Sequence, residues 1–344
     1  MNNAEHSPLK APPRAYAAID LGTNNCRMLI ARPYGGGFRV VDSFSRITRL
    51  GQGVAAEGRL HEDAIKRTLN ALKICNAKMN SIGVHRVRSI ATEACRRAEN
   101  GSEFLHRVKN EAELDLETIT AQEEASLTLA GCSPLLHQNQ PFALVFDIGG
   151  GSTEIIWIDS RDPLHPKTID VISLPHGVVT LTEGFLGRTN YGESFDEIIN
   201  IIDGGLTAFD QKHGIGKAVI EGQVQMLGTS GTVTTLGAIH IKLDHYDRSR
   251  VDGLQLDFEH IREVMDHLGG LSADERTQNP CIGPKRSDLI MAGCGILEAV
   301  CRRWPVGSLK IADRGIREGI LLSLMALDGI HIQRSQHEGS GQHP

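Results

Sequence analysis

The chain has no apolar run approaching the roughly 20 residues a membrane helix needs, so no membrane association is expected. Cysteine occurs at 26, 75, 95, 132, 281, 294 and 301, an odd number, and never as C-x-x-C. A disulfide framework or a zinc site is therefore not expected, and free thiols in a reducing cytosol fit the pattern. The histidines form no H-x-x-x-H pattern on a helix, which removes the usual histidine metal site. Positive charge is not in excess: 36 Lys and Arg against 42 Asp and Glu leave a net charge of −6. A general nucleic-acid binder would need a broad basic surface, so no nucleic-acid partner is expected. A local basic pocket is compatible with that charge. The doublets Arg96-Arg97, Lys285-Arg286 and Arg302-Arg303 are candidates to line one, against the plainer reading of solvated helix faces. No G-x-G-x-x-G stands between a strand and a helix, which disfavours a dinucleotide fold. The N-terminal stretch MNNAEHSPLKAPPR has no apolar core. It reads as a disordered lead and not a signal peptide, and the protein is expected in the cytoplasm.

What is present is an ordinary globular composition, 40% hydrophobic and 23% charged, in a chain long enough for two domains. AYAAIDLG, CRMLIARP and GFRVVDSF read as a β-meander. EDAIKRTLNALKICNAKMNSIG carries apolar residues at helical spacing and ends on Gly83. VHRVRSIAT and LETITA read as strands, SEFLHRVKNEA as a helix opened by Ser102, and QEEASLTLAGC as a further helix. The programme then restarts: strands FALVFDIGGG, STEIIWID and KTIDVISL, helices VVTLTEGF and SFDEIINIIDGGLTAFDQ, then strand VQMLGTSG into helix TVTTLGAIHI. DFEHIREVMDHL, SDLIMAGCGILEAVCRRW and RGIREGILLSLMAL complete the helices, with SLKIAD the last strand. The expectation is two α/β units over 15–137 and 138–331, a cleft between them, and disordered tails at 1–14 and 332–344. The last helix is a candidate to pack back on the first unit.

Each unit opens with the same device, an apolar strand, an aspartate, a glycine turn and a second strand: IDLGTNNCRMLI and FDIGGGSTEIIW. A hairpin that must approach a phosphate needs little side chain and many free N–H groups, which glycine provides. The serines and threonines that follow add hydroxyl donors. An aspartate cannot bind phosphate directly, but it suits a hydrated Mg²⁺ that bridges to phosphate. Two copies, together with GTSGT at 228–232, favour a metal-assisted phosphate clamp over a plain hairpin turn.

These residues resemble the two phosphate loops of the actin–sugar kinase–chaperone ATPase superfamily. The fuller resemblance is to the exopolyphosphatase/guanosine pentaphosphate phosphohydrolase family, short form. It also rests on ATEACRRA (91–98), TAQEEASL (120–127), LPHGVVTLTE (174–183), LGTSGTVTTL (227–236) and IADRGIREGIL (311–321). The resemblance implies two actin-like, ribonuclease H-like domains with the active site in the cleft between them.

It further implies Mg²⁺-dependent hydrolysis of a terminal phosphoryl group of inorganic polyphosphate or of guanosine pentaphosphate. The glutamate of the family's E-E-A motif acts there as base on water, and its match is Glu124, with Glu123 left to complement the helix dipole. Asp20 and Asp147 match the loop aspartates that hold the metal; Glu154 would act through metal or water. Gly22, Thr23 and Asn24, then Gly149, Gly150, Gly151, Ser152 and Thr153, then Gly228, Ser230 and Gly231 are the phosphate-binding candidates. Arg96 matches an arginine suited to two-pronged phosphate contact. Longer members append a helical domain with a His-Asp signature. No His-Asp pair occurs here, which implies that fewer phosphates are held at once. Three readings stay open: a phosphohydrolase, expected as a homodimer and preferring polyphosphate; a kinase of the same superfamily, which the E-E-A block argues against; and a catalytically silent nucleotide-responsive binding protein.

Overall fold

The computed structural model describes residues 13–137, 139–162, 165–185, 191–284 and 286–332. Lys285 and most of the two expected tails lie outside them. The first half runs β1 (Ala15–Leu21), β2 (Asn25–Tyr34), β3 (Gly37–Ile47), α1 (Val54–Glu57), α2 (Glu62–Ile82), β4 (Val84–Ala91), α3 (Glu93–Arg97), α4 (Gly101–Ala112), β5 (Leu116–Thr118) and α5 (Ala121–Cys132). A short 3₁₀ turn, Ser133–Leu135, leads on. The second half opens with β6 (Phe142–Ile148), β7 (Thr153–Asp159), β8 (Lys167–Leu174), α6 (Val178–Gly184), α7 (Tyr191–His213), α8 (Ile215–Ile220), β9 (Val224–Thr229) and α9 (Gly231–His240). It closes with α10 (Arg248–Val251), β10 (Gln255–Asp257), α11 (Phe258–Gly270), α12 (Ala273–Gln278), α13 (Ile290–Arg303), β11 (Ser308–Ala312) and α14 (Ile316–Leu327).

The strands form two sheets of matching plan, ordered β3-β2-β1-β4-β5 and β10-β11-β9-β6-β7-β8. In each, an antiparallel meander of three strands is extended by parallel strands, β4 on β1 and β9 on β6. The parallel pairs need helical crossovers, which is why helices follow the meander in both halves. β1 is apolar at nearly every position and buried on both faces. α2 buries Ile65, Leu69, Leu72, Cys75 and Met79 on one side and stops at Gly83, whose φ of 69° is left-handed. All seven cysteines are free and buried.

Two of the helix starts that differ from expectation have a visible local cause. α4 begins at Gly101, not at a Ser102 cap. Asn100 precedes it, and its side chain pairs with the backbone of Leu60 at 2.8 and 3.0 Å instead of capping the helix. α13 begins at Ile290, because residues 286–289 close a turn with the Leu289 N–H on the Arg286 carbonyl at 2.9 Å.

Two helices far apart in the chain meet between the sheets. α14 lays Ile320, Leu321, Leu324 and Met325 on Tyr16, Ala18, Leu29 and Ile90 of the first sheet. α5 packs Ala125, Leu129 and Cys132 on Ala143, Val145, Ile156 and Ile158 of the second. The pair also touch each other at glycines. A Cβ on Gly131 would stand 2.0 Å from the Gly315 carbonyl oxygen, and one on Gly319 would stand 2.1 Å from that of Leu127. This close crossing fixes the first turn of α5, and so Glu124, between the two sheets.

Candidate active site

The two glycine turns close the β1–β2 and β6–β7 hairpins at the same place. The Gly22 N–H donates to the Asn25 carbonyl and the Gly149 N–H to that of Ser152, each at 2.9 Å. The strand register puts Asp20 opposite Arg27, and Asp147 opposite Glu154. The turns touch across the cleft. A Cβ at Gly150 would lie 3.1 Å from the Thr23 Cβ, and one at Gly151 would lie 2.6 Å from the Thr23 Oγ1. A side chain at either glycine would crowd Thr23. A third turn, at the end of β9, joins them. Ser230 holds a φ of 115°, a strained value for serine, and its buried Oγ has no hydrogen-bond partner among the described residues.

Together these turns enclose a pocket of about 140 Å³, lined by Asp20, residues 22–25, Glu93, Glu124, Asp147, residues 149–152 and 230–232, and Arg286. It opens into a cavity of about 1210 Å³ walled by β3 on one side and by Tyr246, Arg248, Arg314 and Arg317 on the other.

Thr120 caps α5 by accepting from the Glu123 N–H at 3.2 Å. The next two side chains then diverge. Glu123 turns outward to Arg88. Glu124, only 7% exposed, turns into the pocket. Arg96 Nη1 donates to Glu124 Oε2 at 3.1 Å and to the Ile119 carbonyl at 2.8 Å. Its other face donates to Glu93 Oε2 at 2.8 and 3.2 Å. Burial pushes the Glu124 carboxyl well above the usual carboxylate range; Glu154 and Asp147 add to this, and Arg96 opposes it. A carboxylate so placed is a stronger base than an exposed one, and it faces the enclosed space of the pocket.

Asp20 and Asp147 both reach the pocket yet are deeply enclosed. Burial raises Asp20, with Arg27 and Arg317 opposing. Burial, then Glu154 and Asp20, pushes Asp147 up to about 7. No described side chain donates a hydrogen bond to either. Two buried carboxylates, one in the other's field and without side-chain donors, could hold a divalent cation. Glu154 stands opposite Asp147 in the register, its Oε1 accepting from Ser173 at 2.7 Å. No three acidic, histidine or cysteine side chains converge as a metal cage among the described residues.

Of the expected residues, Asp20, Gly22, Thr23, Asn24, Glu124, Asp147, Gly149, Gly150, Gly151, Ser152, Ser230 and Gly231 line the pocket together. Arg96, Thr153, Glu154 and Gly228 do not. Arg96 sits behind Glu124, Thr153 donates to the His176 carbonyl at 2.7 Å, and Gly228 faces the Phe146 ring within β9. Among the arginine doublets, Arg286 reaches the pocket, whereas Arg302 pairs with Glu298 and Arg303 with Asp203. Sequence reading missed Arg27 and Glu93. Arg27 was recoverable, since a hairpin with a turn at 22–24 sets it opposite Asp20.

The profile of the Ppx/GppA phosphatase family matches residues 29–327. Exopolyphosphatase 2 of Mycobacterium tuberculosis is 31% identical over 322 residues, covering 90% of this chain and 98% of that protein. The guanosine-5'-triphosphate,3'-diphosphate pyrophosphatase of Aeromonas salmonicida is 28% identical over 319 residues; the alignment covers 90% of this chain but only 59% of that longer protein. Among solved structures, the Aquifex aeolicus PPX-GPPA enzyme superposes with a TM-score of 0.74 at 32% identity, covering 90% of this chain and 99% of the other.

Proposed function

The chain belongs to the Ppx/GppA phosphatase family, whose members hydrolyse phosphoanhydride bonds, and we propose that it is an exopolyphosphatase that removes terminal phosphate from inorganic polyphosphate. The observation that carries this reading is Glu124: a buried carboxylate with its pKa raised, aimed into a pocket made by three donor-rich turns. Phosphoryl transfer asks a protein mainly for positioning and charge neutralisation, plus one group to orient the nucleophile. Backbone N–H groups at 23–24, 150–151 and 230–232, with the Ser230 hydroxyl, hold the terminal phosphate; those of Gly22 and Gly149 close their own turns. Arg27 and Arg286 offset the charge of the adjoining phosphates. Glu124 takes a proton from the attacking water as its oxygen bonds to the terminal phosphorus. The anhydride P–O bond breaks, and its electron pair leaves on the shortened chain.

Arg96 keeps the Glu124 carboxylate aimed and, by its charge, keeps it available as a base. Mg²⁺ held by Asp20 and Asp147, with Glu154 acting through water, would supply further neutralisation of phosphate charge. The adjoining cavity of about 1210 Å³ also has room for a nucleoside, which keeps guanosine pentaphosphate as the second substrate. Phosphate release measured side by side on long polyphosphate, short polyphosphate and guanosine pentaphosphate, with Mg²⁺ and with chelator, tests the reading. Release fastest from polyphosphate and lost in chelator is expected. Binding of all three with no release would leave a silent binding protein and overturn it.

A further inference from the structure

The two glycine turns are joined by a bridge that lies outside the pocket. Residues 48–53 back the first turn: the Thr48 and Arg49 N–H groups donate to the Asn24 carbonyl at 2.9 and 3.0 Å, and the Gly51 N–H to that of Thr23 at 2.9 Å. The N-terminal end of α6 backs the second turn, with the Val178 N–H on the Gly149 carbonyl at 3.0 Å and the Val179 N–H on that of Gly150 at 2.8 Å. The two supports then meet. The carboxylate of Glu183, in the last turn of α6, accepts from the Gly53 N–H with both oxygens at 3.2 Å. Beside it, Arg49 Nη2 contacts Asp288 Oδ2 at 3.1 Å, and Thr182 Oγ1 donates to the Asp288 carbonyl at 3.5 Å. Arg49 makes this reach from a left-handed backbone, φ 49°, which a non-glycine residue holds only where its surroundings enforce it. None of Arg49, Glu183 or Asp288 lines the pocket or the adjoining cavity.

We propose that Glu183 and the Arg49–Asp288 pair are positioning residues that set the spacing of the two phosphate-binding turns and thereby the affinity for the terminal phosphate. The proposal rests on the hydrolase reading above. The bridge favours the closed spacing before substrate arrives. Without it a smaller fraction of molecules is binding-competent, and apparent affinity falls by that fraction. Saturating substrate restores the closed spacing, so turnover survives. Loss of the bridge therefore acts on KM and spares kcat.

Glu183→Ala should raise KM for polyphosphate about fivefold with kcat within about twofold of wild type. Glu183→Gln, which retains an acceptor oxygen, should recover most of the loss. Arg49→Glu and Asp288→Arg, at an exposed pair, should each raise KM about twofold to fivefold, and the double reversal should return it to near wild type. Unchanged KM in Glu183→Ala overturns the proposal, as does a fall in kcat at constant KM, or a double reversal no better than the worse single. Should Glu183→Ala not fold, the charge-reversal set carries the test alone. If the wild-type protein releases phosphate from no substrate, it is the hydrolase reading that fails. The bridge is then read by amide hydrogen exchange in the free protein. Faster exchange at Gly51 and Gly53 in Glu183→Ala, with α13 unchanged, supports the bridge; unchanged exchange at both glycines refutes it.

Discussion

Replacing Asp147 with asparagine should make the metal-free protein more stable at alkaline pH. The folded protein holds the Asp147 proton up to about pH 7, against an ordinary value of 3.8, chiefly because of burial and then because of Glu154 and Asp20. Between those values the folded chain carries a proton that the unfolded chain has released. Stability therefore falls as pH rises through that window, and the loss is complete above it. At about 1.4 kcal/mol per pH unit, a shift of about 3 units sets an upper limit near 4 kcal/mol. Asparagine keeps the shape and has no charge to bury. With an unfolding entropy of about 2.1 cal/mol/K per residue, the 344-residue chain has a slope near 0.7 kcal/mol per degree, so the limit is a gain of about 6 °C in Tm. The assay is thermal unfolding of both proteins in chelator from pH 4 to pH 8.5. The difference in Tm should be near zero at the acid end and grow to several degrees above pH 7.5. Added Mg²⁺ should raise the wild-type Tm more than that of the variant, since it compensates a charge that only the wild type carries. An asparagine variant that is less stable at pH 8 in chelator, or a difference that does not change with pH, would refute the reasoning.

Glu124→Gln should fold, bind polyphosphate and lose about 10²–10⁴ in kcat, the usual worth of a general base. Glu123→Gln should be nearly silent, because that side chain faces Arg88 and solvent; equal damage from both would reverse the assignment within the pair. Asp20→Ala should raise the Mg²⁺ concentration needed for half-maximal activity, and full activity in excess chelator would end the metal reading. Gly131→Ala should destabilise by about 1–3 kcal/mol, read as a lower denaturation midpoint, because its Cβ would press on the Gly315 carbonyl from 2.0 Å. An unchanged midpoint would show that α5 and α14 can part without cost. Polyphosphate affinity should fall steeply with salt despite the net charge of −6, and long polymer should be released between cuts. On a gel, full-length polymer beside fully degraded product, with no intermediates, would show the opposite.

The sequence alone determined the α/β class, the two hairpins and the glycine turns. These are local matters: an apolar run broken by Asp and Gly encodes a strand, a turn and a strand wherever it occurs. Pairing within each hairpin is local too, which is why Arg27 could have been read as the neighbour of Asp20. The choice between Glu123 and Glu124 came from a resemblance, and the physical difference between them is one of burial. One faces solvent and Arg88, the other the gap between sheets, because α5 is pinned there by α14 from the far end of the chain.

The rest depended on tertiary structure. Arg96 stands in sequence as a free cation, yet the fold turns it onto Glu124 and Glu93, 28 and 3 residues away. Glu154 directly faces Asp147 in the strand register, but Ser173 on the next strand holds its carboxylate. The support at 48–53 carries no pattern that marks it, and the one at 178–183 lies in a block that the family resemblance marks without saying what it contacts. What they do is set by contacts between chain segments 130 residues apart, and no local propensity encodes a distance of that kind.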